Sequence, residues 1–231
     1  MTSNQRQAQT ETCTQSKMKI GILGTGMVGE ALGTKFVTLG HKVMMGSRTE
    51  TNETAAEWVR KNGAAASQGT FASAAAFGSL VFLCTKGEVS LEVAKSVGPS
   101  MGGKILVDVS NPLDFSHGMP PSLLISNTTS LGEEIQKAVP AGKVVKTLHI
   151  VNCEVMVEPA KAGGEPTMFV SGNDGDAKAQ VVSLLKELGW RDIIDLGDIT
   201  TARTTEMLVP LWISLFNNSG NPRFAFKVIG R

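Results

Sequence analysis

Apolar residues fall along this chain in two alternating rhythms. Short unbroken runs are followed by longer stretches whose apolar positions recur with a helical period. Met18 to Leu23 (MKIGIL) is such a run and predicts a buried first strand. Met27 to Leu39 follows, with Val28, Ala31, Leu32, Phe36 and Leu39 on one helical face, and Gly40 stops it. Lys42 to Gly46 predicts a second strand, Glu53 to Lys61 a second helix, and Gly63 to Ala66 a short strand-like piece. Leu80 to Cys84 (LVFLC) is the most strand-like run. Further strands are predicted at Lys104 to Val109, Val144 to Ile150, Thr167 to Ser171 and Asp192 to Leu196. Helices are predicted at Ala177 to Leu188 and, as one continuous element, Ala202 to Phe216. Alternating strands and helices imply parallel βαβ units with right-handed crossovers. The expected architecture is therefore α/β, a doubly wound Rossmann-type fold with a mainly parallel sheet and a small C-terminal α/β extension. Asn111 to Pro121 is rich in turn residues and reads either as a substrate-side flap or as a long connection.

Composition narrows the partners. The chain has 231 residues, 42% hydrophobic and 19% charged, with a formal net charge of +1. That suits an ordinary globular core and gives no basic face for nucleic acid and no polybasic membrane anchor. No apolar run is long enough to span a bilayer, and the polar first residues lack a signal-peptide core. A cytoplasmic setting is the simplest expectation. Cys13, Cys84 and Cys153 are too few and too scattered to suggest a disulfide framework or a metal site. Cys84 and Cys153 as a redox pair is a weaker reading than two buried thiols. The division expected is a disordered leader over residues 1–16, a dinucleotide-binding domain over 17–150, and a small domain over 151–231 that completes the acceptor site.

Between the first strand and the first helix stands Gly24-Thr25-Gly26-Met27-Val28-Gly29, a G-x-G-x-x-G loop in the context that gives it meaning. Gly24 permits the tight turn, Gly26 lets backbone approach a pyrophosphate, and Gly29 lets helix and strand pack closely. The helix N-terminus then offers N–H groups to the anion. An NAD site usually carries a carboxylate at the tip of strand two. Here the tip reads Ser47-Arg48-Thr49, in which Ser47 and Thr49 can donate to a phosphate and Arg48 can pair with it or stack on adenine. The expected cofactor is NADP(H). Other strand tips complete the site: Thr85-Lys86, then Ser110-Asn111-Pro112 at the nicotinamide end, then His149-Ile150-Val151. Val151 is expected to space the reacting rings, and His149 to hydrogen-bond a polar edge of the acceptor. His41 and His117 are expected to be structural or solvated.

With those residues in view, the chain resembles the coenzyme F-420-dependent NADP oxidoreductase family. The resemblance runs over nearly all of Lys17 to Arg231. It rests on KIGILGTGMVGEALGTKFVTLGHKVMMGSR, GKILVDVSNP, VVKTLHIV, SGNDGDAKAQV and GWRDIIDLGDITTARTTEMLVPLW. Part of the pattern is similar to the cytosolic domain of six-transmembrane metalloreductases. The resemblance implies hydride transfer between the nicotinamide of NADP(H) and the 5-deazaflavin ring of coenzyme F-420, a small-molecule co-substrate. It implies that Thr25, Ser47 and Arg48 line the NADP site, that Thr25, His149 and Val151 serve the catalytic centre, and that His149, Val151 and Met207 lie near the stacked rings. It also suggests a homodimer. Two other readings stay open: an NADPH-dependent flavin or ferric reductase, and a non-catalytic NADP(H) sensor or scaffold.

Overall fold

The computed structural model describes residues 17–230, so the leader expected over 1–16, with Cys13, lies outside the described residues. The chain begins with β1 (Lys19–Leu23), α1 (Met27–Thr38), β2 (Lys42–Ser47), α2 (Glu53–Asn62), β3 (Ala66–Thr70) and α3 (Phe71–Phe77). It continues with β4 (Leu80–Leu83), α4 (Gly87–Val97), β5 (Ile105–Asp108), the two short strands β6 (Leu113–Asp114) and β7 (Ser122–Leu123), α5 (Leu131–Ala138) and β8 (Lys143–Lys146). The last part holds α6 (Cys153–Val157), β9 (Thr167–Val170), α7 (Gly175–Glu187), β10 (Asp192–Asp195), α8 (Ala202–Glu206) and α9 (Val209–Ser219).

Six strands form one parallel sheet in the order β3-β2-β1-β4-β5-β8. The order reverses between β1 and β4, which makes their carboxyl ends the switch point where doubly wound sheets bind ligands. β4 and β5 are buried along their whole length, which explains why they read as unbroken apolar runs. The register aligns the strand tips: Leu23 faces Gly46 and Leu83, Leu83 faces Asp108, and Asp108 faces Lys146. β9 and β10 form a separate parallel pair joined to β8 through reciprocal backbone bonds between Lys146 and Ser171.

Four expectations are corrected. Gly63–Ala65 is a 3-10 turn and the strand starts only at Ala66, because Gly63 takes φ +71° after α2. The strand expected over Val144 to Ile150 stops at Lys146. Leu148 is left-handed at φ +63°, and Thr147 Oγ1 donates to the Phe169 carbonyl at 2.8 Å, so the chain turns away there. The helix expected over Ala202 to Phe216 is two helices. Pro210 sits in the first turn of the second and has no N–H to continue the ladder of the first. Asn111 to Pro121 is no plain connection, because β6 and β7 pair antiparallel across it and make it a small hairpin.

One apolar cluster runs through both parts of the chain, from Ile20, Phe36 and Phe82 to Met168, Trp190, Val209 and Ile213. The segment after residue 150 therefore shares its core with the sheet. Among the described residues, no helix is long and apolar enough to cross a membrane.

Candidate functional site

The glycine loop leaves β1 at the switch point. Gly24 sits at φ +129°, and a Cβ there would stand 2.7 Å from the Cys84 carbonyl oxygen. A Cβ on Gly29 would stand 2.3 Å from the Gly24 carbonyl oxygen, so helix and loop close only around a glycine. Gly26 differs, since nothing lies within 4 Å of where its Cβ would be. That open face is the space through which a pyrophosphate would approach.

Helix capping marks the same place. The helices that follow β2 and β3 are capped by side chains, Asn52 accepting from the Ala55 N–H and Thr70 from the Ser73 N–H. The helices that follow β1 and β4 have no side-chain cap, their N-cap positions being Gly26 and Lys86. These two central helices leave their first N–H groups for an anion.

Two adjoining cavities open there. The larger, about 1010 Å³, is lined by Gly24, Thr25 and Gly26, by Ser47, Arg48 and Thr49, by Thr85 and Lys86, and by an apolar wall of Phe71, Val89 and Val93. The smaller, about 430 Å³, shares Gly26, Cys84, Thr85 and Lys86 with it. It runs on past Met27 and Val28 to Val109, Ser110, Asn111 and the hairpin residues Leu113 and Phe115. Volumes of this order suit a cofactor-sized ligand.

Each expected residue has a definite place. Ser47 is buried, its hydroxyl donating to the Thr49 carbonyl at 2.6 Å and accepting the Thr49 N–H at 3.2 Å. Thr49 Oγ1 donates to the Thr51 carbonyl at 2.8 Å. Both hydroxyl protons expected to reach a phosphate are thus donated to backbone carbonyls. Arg48 makes no ion pair among the described residues and is the cation available at that end. Thr85 Oγ1 lies 2.8 Å from Ser90 Oγ. Ser110 is buried, with its N–H and Oγ–H both donated to Asp108 Oδ1, at 2.9 and 2.6 Å. Asn111 Nδ2 donates to the His149 carbonyl at 2.7 Å, and its buried Oδ1 has no hydrogen-bond partner among the described residues. Gly29 lies behind the loop. Pro112 is buried beside the tip and lines neither cavity.

The residues expected on the acceptor side, His149, Val151 and Met207, differ in burial. His149 is 4% exposed, and Val151 is packed in the main apolar core. Neither lines either of these two cavities, and the chain turns at Leu148 just before them. Burial, and then the Lys146 ammonium, push the His149 imidazole well below its ordinary value, outweighing the backbone of Thr205 and Thr147. The ring is therefore neutral, and among the described residues neither nitrogen has a partner at hydrogen-bonding geometry. Met207 lies between α8 and α9 and is partly exposed. Burial raises the thiol of Cys84 and that of Cys153, so both stay protonated, which disfavours a redox pair.

Sequence reasoning missed the charged residues under this site. Asp108, Lys146 and Glu206 are fully buried and bonded together. The signal was present, since a Lys inside VVKTL and an Asp inside ILVDV are charges in otherwise apolar strands.

Comparison with known proteins agrees with this geometry. Residues 19–112 match the family model described as NADP oxidoreductase coenzyme F420-dependent. The F420-dependent NADP reductase of Methanocaldococcus jannaschii is 30% identical over 207 residues, which span 86% of this chain and 92% of that protein. The chain belongs to the coenzyme F-420-dependent NADP oxidoreductase family. A crystal structure from Arthrobacter sp. FB24, provisionally described as an F420 dependent NADP-reductase, shares 46% identity with this family member. It superposes with a TM-score of 0.87, covering 92% of this chain and 100% of that one. The metalloreductase STEAP3 of Rattus norvegicus is 27% identical over 84% of this oxidoreductase, which amounts to 38% of that longer protein.

Proposed function

We propose that the chain binds NADP(H) along the two joined cavities and passes a hydride between its nicotinamide and a deazaflavin of the coenzyme F-420 type. The observation that carries this reading is the open face of Gly26 between two uncapped helix N-termini, at the switch point of the sheet. Arg48, beside Ser47 and Thr49, takes the 2′-phosphate, and Phe71, Val89 and Val93 bed the adenosine. Gly24, Thr25 and Gly26, with Thr85 and Lys86, hold the pyrophosphate region. Met27, Val28, Ser110 and Asn111 take the nicotinamide end, with Pro112 stiffening the turn behind it. The bound cofactor supplies the hydride chemistry, and the chain supplies position and electrostatics. Transfer needs the two rings about 3–3.5 Å apart at the reacting carbons. His149 and Val151 serve that spacing from behind the cavity wall, His149 through its carbonyl bond to Asn111.

Residues 17–150 act on this reading as the cofactor domain, and 151–231 complete the acceptor side, where Met207 is exposed. The partly exposed Met207, Leu211 and Leu215 also support pairing of two copies through that end of the molecule. The test is NADPH oxidation followed at the nicotinamide absorbance with coenzyme F-420, FMN and ferric citrate. Turnover with coenzyme F-420 is expected. Turnover only with FMN or ferric citrate would make the chain a flavin or ferric reductase, and tight NADPH binding without turnover on any acceptor would make it a sensor.

A further inference from the structure

Three charged side chains are sealed beneath the carboxyl ends of β5 and β8. Lys146 Nζ lies 2.8 Å from Asp108 Oδ2 and 2.9 Å from Glu206 Oε1, and it donates to the Ser110 carbonyl at 2.6 Å. The first contact follows from register, since Asp108 and Lys146 are paired neighbours at the ends of adjacent strands. Burial alone would push the ammonium down, but Asp108 and Glu206 outweigh it and hold Lys146 above its ordinary value, so it stays charged. Two carboxylates face one ammonium. The excess negative charge is met at the N-terminus of α5, where the Leu131 and Gly132 N–H groups donate to Glu206 Oε2 and Oε1 at 2.9 and 3.0 Å.

A cluster of this kind is a poor way to gain stability. Removing each ion from water is costly, and well-packed uncharged replacements are often neutral or stabilising. What the cluster does hold is the strand tip above it. Lys146 grips the Ser110 carbonyl, while Asp108 Oδ1 takes the Ser110 N–H and hydroxyl. Residue 110 is thereby fixed by every polar atom it has. Asn111 follows directly, lines the smaller cavity, and is tied to the His149 carbonyl. Glu206 directly precedes Met207, so the same three charges connect the cavity wall to the acceptor side.

We propose that Lys146, with Asp108 and Glu206, is a positioning group that fixes the Ser110–Asn111 turn to receive the nicotinamide half of the cofactor. The proposal rests on the reading of the smaller cavity given above. The nearby Arg203–Glu133 pair makes a natural control. Arg203 Nε donates at 2.7 Å to Oε2 of Glu133, which lies on the same helix α5, and among the described residues no bond joins this pair to a strand tip.

The test compares equilibrium binding of NADPH and of adenosine 2′,5′-bisphosphate, which has the 2′-phosphate and adenine but no nicotinamide. Calorimetry on the full chain needs no electron acceptor. The wild type should prefer NADPH by about tenfold or more, as the surplus from a preorganised second half-site. In the triple variant Asp108→Asn, Lys146→Met, Glu206→Gln, the preference should collapse towards one while the bisphosphate affinity stays within about twofold. Glu206→Gln alone should shift the ratio in the same direction and serves if the triple variant does not fold. Arg203→Met should leave the ratio unchanged. An unchanged NADPH preference in both cluster variants would overturn the positioning role while leaving the cofactor site standing. A wild type that binds the two ligands equally would overturn the nicotinamide placement and the proposal with it.

Discussion

Gly26 and Gly29 belong to one loop but answer to different demands. The backbone around Gly29 has no room for a methyl group, since the Gly24 carbonyl oxygen would sit 2.3 Å from it. Gly29→Ala should therefore destabilise the fold, by about 1–3 kcal/mol as overpacking does. Around Gly26 the space is empty, and its φ of −82° suits any residue. Gly26→Ala should keep the wild-type melting temperature and lose NADPH affinity by about tenfold or more, because the added methyl occupies the anion's approach. Thermal melts and calorimetry on the two variants check this. Equal melting and equal binding for Gly26→Ala would remove the pyrophosphate reading of the loop. The motif already assigned Gly26 to the anion's approach and Gly29 to close packing, and the folded neighbours add the distances: nothing within 4 Å of a Cβ at Gly26, and a backbone oxygen at 2.3 Å for Gly29.

At the scale of elements, the strands and helices of the cofactor half were legible because their burial follows simple periods. Completely covered strands read as apolar runs, and α1 shows its apolar face from Val28 to Leu39. The tip of β8 was not legible. Its apolar character continues through Ile150, but Leu148 adopts a left-handed conformation that no local pattern announces. That turn buries His149 away from solvent and next to a retained lysine charge. The consequence is measurable. The unfolded chain binds a proton on this histidine near the ordinary value of about 6.5, whereas the folded chain resists it. Its stabilising contribution is thus fully present above about pH 6.5 and drains away as pH falls below it, by up to about 1.4 kcal/mol per pH unit. Melting temperature should fall between pH 7 and pH 5.5 in the wild type and less steeply in His149→Asn. Identical slopes would mean that the imidazole is not held neutral. The buried cluster of Asp108, Lys146 and Glu206 was hidden for another reason: its members come from β5, β8 and α8, so only the fold brings them together.

For the molecule as a whole, one apolar core runs across the boundary expected near residue 150. Trp190 is fully buried, its Nε1 donates to the Met156 carbonyl at 3.0 Å, and it packs in the same cluster as Ile20 and Phe82. His41 stitches the two parts at the surface of that core. Its Nδ1 accepts the Met18 N–H at 3.2 Å, so Nε2 carries the proton towards Glu187 Oε2, also at 3.2 Å. Denaturant unfolding followed by tryptophan fluorescence and by far-ultraviolet circular dichroism should give coincident transitions. An earlier fluorescence transition would show a C-terminal unit that opens alone.

If NADP(H) and a deazaflavin meet on this shared core for direct hydride transfer, a label on the nicotinamide follows the hydride. The most direct measurement mixes the protein, in a single turnover, with coenzyme F-420 and NADPH deuterated at one or the other face of nicotinamide C4. One of the two labelled forms, and only one, should deliver its deuterium to deazaflavin C5 without exchange with solvent. Reduction without label transfer, or NADPH bound tightly with the deazaflavin left oxidised, would contradict it.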